Sequence, residues 1–147
     1  MATPPTGAKA ITGGCLCGAV RFECDHAPLL ARACWCRVCQ YLSAGNASIN
    51  VIVRAEGLRI TGTLAEYRST ADSGNRMCRR FCPACGTQLF SESEARPGLV
   101  VVRAGALDDP EIARPSGYIW TRSAPSWAQI DPALANSEGQ PPPVATN

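Results

Sequence analysis

The sequence predicts a mostly β chain built from packed antiparallel sheets. Three observations carry that prediction. Short runs of β-branched and aromatic residues recur along the chain. Gly, Pro, Asp and Ser punctuate those runs. Only residues 37–42 offer a helical turn. Many short strands between turn residues are the pattern of sheet packed on sheet. At 147 residues the chain fits one domain, long enough to bury about two-thirds of its unfolded surface.

Taken in order, residues 1–9 carry Pro4, Pro5 and Gly7 and read as a flexible leader. The domain is expected over residues 10–135. Residues 19–24 alternate, placing Val20 and Phe22 on one face, with Cys24 at the end. Residues 48–53 form a β-branched run, and 58–60 follow Gly57 and precede Gly62. Residues 66–69 and 88–90 are shorter candidates. The apolar run 99–102 lies between Gly98 and Gly105, and 118–121 is the last strand expected. Residues 136–147, with Pro141-Pro142-Pro143, read as a disordered tail. No internal repeat or second domain is visible.

Composition excludes several functions. Net charge is +2, and the densest basic spot is the pair Arg79-Arg80. That is no footprint for nucleic acid. The first ten residues lack the apolar stretch of a secretory signal. No apolar run approaches the roughly 20 residues of a membrane helix. The expectation is a cytoplasmic protein with no membrane partner. Reduced thiols there favour metal ligation over disulfides.

Seven of the nine cysteines fall into three tight groups: Cys15-Leu16-Cys17, Cys34-Trp35-Cys36-Arg37-Val38-Cys39 and Cys82-Pro83-Ala84-Cys85. Gly18 follows the first pair and Gly86 the last, letting the chain turn behind the sulfurs. Zinc favours four tetrahedral ligands. Cys15, Cys17, Cys82 and Cys85 are therefore expected to form a closed structural site. The alternative is that the middle trio completes the site with Cys82 and Cys85.

The trio is expected to be a thiol-handling zinc site. Cys34, Cys36 and Cys39 can face one ion, leaving a fourth position for water or an incoming thiol. Three thiolates on zinc carry a net charge of about −1. That charge blunts acidification of water but suits capture of a soft thiol. The competing reading is a second structural zinc completed by Cys24, Cys78 or His26. Cys24 and Cys78 are otherwise expected in the core, and His26, the only histidine, on a surface turn.

These residues resemble the glutathione-dependent formaldehyde-activating family. The resemblance rests on 14–20 (Gly-Cys-Leu-Cys-Gly-Ala-Val), the trio, and 81–87 (Phe-Cys-Pro-Ala-Cys-Gly-Thr), with weaker support at 105–108, Ile119-Trp120 and Trp127. It implies a β-tent stapled by zinc. It implies two zincs per chain, a structural one on Cys15, Cys17, Cys82 and Cys85 and a catalytic one on Cys34, Cys36 and Cys39. It further implies a carbon–sulfur lyase adding glutathione reversibly to formaldehyde. The partners would be a glutathione-like thiol and a small aldehyde. Two positions depart from the family pattern: Trp35 and Tyr118 stand where many members have His.

Glutathione carries two carboxylates, so arginine is the expected clamp. Arg32, Arg37 and Arg80 lie near the cysteine groups in sequence, and Trp35 and Tyr41 are candidate pocket walls. Two rival readings remain. One is a non-catalytic zinc-stabilised interaction module presenting Trp120 and Trp127. The other is a redox enzyme using Cys78.

Overall fold

The computed structural model describes residues 10–146; the leader expected at 1–9 lies outside the described residues. Strands β1 (Ile11–Gly14), β2 (Arg21–Cys24) and β5 (Leu58–Thr61) form a three-stranded antiparallel sheet in the order β1-β2-β5. Eight strands make the second sheet. They are β3 (Leu30–Cys34), β4 (Ser48–Arg54), β6 (Ala65–Thr70), β7 (Arg76–Phe81), β8 (Gln88–Ser93), β9 (Leu99–Arg103), β10 (Gly117–Ile119) and β11 (Ala135–Asn136). Their order is β11-β10-β3-β4-β9-β8-β7-β6. The chain is thus mostly β with two packed sheets. The helix α1 (Arg37–Leu42) falls where the helical turn is expected.

The large sheet is not wholly antiparallel. β10 runs parallel to both β3 and β11. A parallel pair needs a long connection, and the chain between β3 and β10 contains most of the sheet. Residues 118–121 are not one strand: β10 ends at Ile119, and Thr121–Ser123 is a 3-10 turn. Residues 136–140 continue to pair. Ser137 N–H donates to Tyr118 O at 2.9 Å, and Trp120 Nε1–H donates to Gln140 Oε1 at 3.0 Å. Tail-like composition here accompanies ordered backbone hydrogen bonds, made possible by the edge that β10 offers.

The core lies between the sheets. Val20, Phe22 and Cys24 face Val51, Val53, Phe90, Val100 and Val102, all at most 3% exposed. Phe22 and Phe90 meet edge to face with centroids 5.1 Å apart. Strand alternation then sends the intervening residues to the opposite face of the large sheet. Register places Arg32, Asn50 and Arg103 in one row, and Ile52, Val101, Ser91 and Arg79 in another. That second face carries the trio-side cavity. Among the described residues no helix is long and apolar enough to cross a membrane.

Candidate metal centre and active site

The first two-pair cluster assembles as expected. The Sγ atoms of Cys15, Cys17, Cys82 and Cys85 all lie within 4.8 Å of one another. Cys15 and Cys17 sulfurs are 3.6 Å apart, and those of Cys17 and Cys82 are 3.8 Å apart. A zinc–sulfur bond of 2.3 Å implies a tetrahedral edge of about 3.8 Å. The donor set therefore fits a tetrahedral thiophilic ion. Local backbone explains the convergence. Gly18 N–H donates to Cys15 O, and Gly86 N–H to Cys82 O, closing two turns. Both glycines hold positive φ, 82° and 77°, where a side chain would be strained. Hydrogen bonds from the Thr87 side chain and backbone hold the Cys85 thiol down to about 5, already close to its ligating form. The cluster ties the β1–β2 turn to the chain between β7 and β8. The alternative in which the trio joins Cys82 and Cys85 is not the arrangement found.

The trio forms a separate group. Cys34, Cys36 and Cys39 are all buried, and their sulfurs lie within 4.8 Å of one another. Cys34 is the last residue of β3, held between Ser48 of β4 and Ile119 of β10. Cys36 is the N-cap of α1, its sulfur accepting from Cys39 N–H at 3.3 Å. Gln40 fixes the loop by donating to Trp35 O and Ser123 O at 2.8 and 3.0 Å. Sharing of protons with Cys34 and Cys36 holds Cys39 at about 3, assisted by Arg103 and Arg79. The same sharing pushes Cys34 far up. Three sulfurs this close cannot ionise independently, and a cation among them would replace the shared protons. Among the described residues no fourth His, Cys, Asp or Glu donor comes within 4.8 Å of all three. Cys24, Cys78 and His26 stay outside the group: Cys24 and Cys78 are buried on their strands and His26 is exposed. The donor set again fits a soft metal ion, here with one corner unfilled by these residue types.

The trio opens into a cavity on the outer face of the large sheet, lined also by Arg32, Arg79, Arg96 and Arg103. Of the clamp candidates, only Arg32 is in this wall. Arg37 bonds Gln40 and lies over the Tyr41 ring, 5.3 Å from its centroid. Arg80 faces Glu66 and Glu92 in ion pairs of 3.5 and 3.1 Å. Adjacent arginines on a strand point to opposite faces, so Arg79 enters the cavity while Arg80 leaves it. Arg96 and Arg103 were missed because they are distant in sequence from the cysteines. Period-two alternation from the buried Val102 could have flagged Arg103.

Neither proposed aromatic wall lines the cavity. Trp35 is 2% exposed and packs edge-on against Trp127, with centroids 6.2 Å apart. Tyr41 is 79% exposed. Tyr118 accepts from Asp131 N–H at 3.2 Å, so the second departure from the family pattern anchors the C-terminal segment. The wall instead includes Trp120 and Gln140. Trp120 adopts φ 58°, an uncommon left-handed conformation for a bulky residue. The two tryptophans proposed for a contact surface are therefore engaged within the molecule, although Trp127 remains 63% exposed.

A crystal structure of a Rhodobacter sphaeroides protein superposes with a TM-score of 0.54 at 23% identity, covering 73% of this chain and 98% of that one. It shares the fold. A relative from Halomonas elongata is 28% identical over 131 residues, covering 82% of this chain and 81% of its own. Its name assigns it provisionally to the glutathione-dependent formaldehyde-activating enzymes. The family model of that same description matches residues 10–123, a span containing all seven clustered cysteines. On that match, the chain belongs to the glutathione-dependent formaldehyde-activating enzyme family.

Proposed function

We propose that this chain is a zinc-dependent carbon–sulfur lyase that adds a glutathione-like thiol reversibly to formaldehyde. Cys34, Cys36 and Cys39 hold the catalytic zinc, and Cys15, Cys17, Cys82 and Cys85 hold a structural one. Family membership supports the substrates. The observation that carries the site assignment is the three-sulfur group, joined by no fourth His, Cys, Asp or Glu among the described residues, lining a cavity.

When bound, the zinc supplies a soft Lewis acid that favours the thiolate form of an incoming sulfhydryl. The chain's own residues do the rest. β3 and the capped turn of α1 fix the three sulfurs. Arg79 and Arg103 offset the negative charge of the thiolates. Buried Trp35 and Gln40 hold the loop rigid behind them. In the forward direction sulfur bonds to the carbonyl carbon and the carbon–oxygen π bond opens. The thiol proton ends on the new hydroxyl by way of solvent at the cavity mouth. Much of the acceleration comes from holding thiol and aldehyde together, since metal binding lowers a thiolate's intrinsic nucleophilicity. Nine free cysteines accord with a reducing, cytoplasmic setting.

X-ray absorption of the zinc-loaded protein with and without glutathione tests the assignment. The expected result is a gain in average sulfur coordination together with faster formation of the S-hydroxymethyl adduct. An unchanged zinc shell and no acceleration would refute the lyase reading.

A further inference from the structure

Four arginines line one cavity, and among the described residues no carboxylate is bound to them. Arg32, Arg79 and Arg103 are 8%, 4% and 8% exposed, and Arg96 is half-buried at the rim. None of the four takes part in an ion pair among the described residues, where every other close arginine–carboxylate pair lies elsewhere. Arg79 donates to Ser69 Oγ at 2.7 Å and Arg103 to Ser48 Oγ at 2.8 Å and to Asn50, all neutral acceptors. The Nε atoms of Arg79 and Arg103 are buried without any partner. Guanidinium stays charged in proteins, and a buried charge without a counter-ion is costly. The one acidic side chain in the cavity wall is Asp72, which is exposed. The loaded trio contributes a charge of about −1. Four cations still outnumber these two negative groups.

The cavity is also small. Its free volume is about 70 Å³, and on that scale one water needs ~10–15 Å³. It has room for about five water-sized groups. A carboxylate on a short stem fits, but most of a tripeptide must lie outside. Because Cys34, Cys36 and Cys39 line the same space, an anion seated here shares the cavity with a sulfur held at the trio.

We propose that the arginine-lined cavity is a carboxylate subsite of the active site, selecting thiols that carry a carboxylate over neutral thiols. This rests on the thiol-accepting reading of the trio and narrows its substrate class to compact anionic ends. Arg32, Arg79 and Arg103 form the floor, and Arg96 closes the mouth. Fork geometry suits arginine to planar carboxylate oxygens.

The test uses zinc-loaded full-length protein and calorimetric titration with three probes: 3-mercaptopropionate, 2-mercaptoethanol and propionate. The expected result is binding of 3-mercaptopropionate at least about tenfold tighter than 2-mercaptoethanol, as a charge-assisted hydrogen bond would give. That advantage should collapse in Arg79→Gln and Arg32→Gln, whose folding is checked by circular dichroism. Arg79→Lys should restore part of it. Equal affinity for the two thiols would overturn the subsite while leaving the metal reading standing. Equal binding of propionate and 3-mercaptopropionate, both lost in Arg79→Gln, with no binding of 2-mercaptoethanol would support the subsite and refute the thiol-accepting trio. No binding by any probe would overturn the subsite.

Discussion

Cys36 has two separable duties, because its sulfur belongs to the trio and also caps α1. Serine is a good N-cap but a poor ligand for a soft metal. Cys36→Ser is therefore expected to lower metal content from two zincs per chain to one and abolish adduct formation. The thermal melt should stay close to that of the parent. Elemental analysis and circular dichroism check this. A second residue, Asp108, gives a pH signal. Its side-chain hydrogen bonds with Arg21 hold its carboxyl down to about 2. A depressed folded-state value means its contribution is present above about pH 4 and fades as pH falls toward 2. Both partners are about half exposed, so screening keeps the effect small. The melting difference between parent and Asp108→Asn should shrink below about pH 4. At this scale the three cysteine groups were legible, because metal-ligand spacing is local, whereas which pairs meet is decided by the fold. Of the arginines only Arg32 was legible. Arg37 and Arg80 were candidates by proximity in sequence, whereas Arg79 and Arg103 earn their positions from cross-strand register.

At the scale of elements, the strands rich in Val and Ile could be read directly, and β4 and β9 appear where the runs 48–53 and 99–102 placed them. β3 (Leu-Ala-Arg-Ala-Cys) and β7 (Arg-Met-Cys-Arg-Arg-Phe) gave no such signal. Their arginines look like surface residues until the cavity face is known. β1 was hidden by its two glycines, which are needed for close approach. A Cβ on Gly13 would meet Ala106 O at 2.2 Å and the Phe22 ring at 2.4 Å. Gly13→Ala should wedge β1 away from the turn at Ala104–Ala106 and cost about 1–3 kcal/mol, read as a lower urea midpoint. Phe90→Ala, which empties the centre of the inter-sheet core, should cost about 3–5 kcal/mol. Its m-value should remain near that of the parent if unfolding stays two-state.

For the molecule as a whole, the four-sulfur cluster joins the two sheets at one end, while Phe22 and Phe90 join them through the core. Chelation should therefore lower the melting temperature without abolishing the folded state, since the sheets bury an apolar core of their own. Cys85→Ala should reproduce that loss, and Cys36→Ser should not. Differential scanning calorimetry on the three proteins separates the cases. The parallel pairing of β3 with β10 could not be foreseen, because long-range register depends on contacts no local window contains. It has a consequence for biosynthesis. By the time Cys85 leaves the ribosome, every sulfur of the two clusters has emerged, yet β10, the second strand flanking Cys34, and the Trp120–Gln140 wall have not. On the proposed two-metal reading, a nascent chain can thus acquire its ions before the trio's cavity has a final side, and closure of that cavity must wait for the last stretch of polypeptide to emerge.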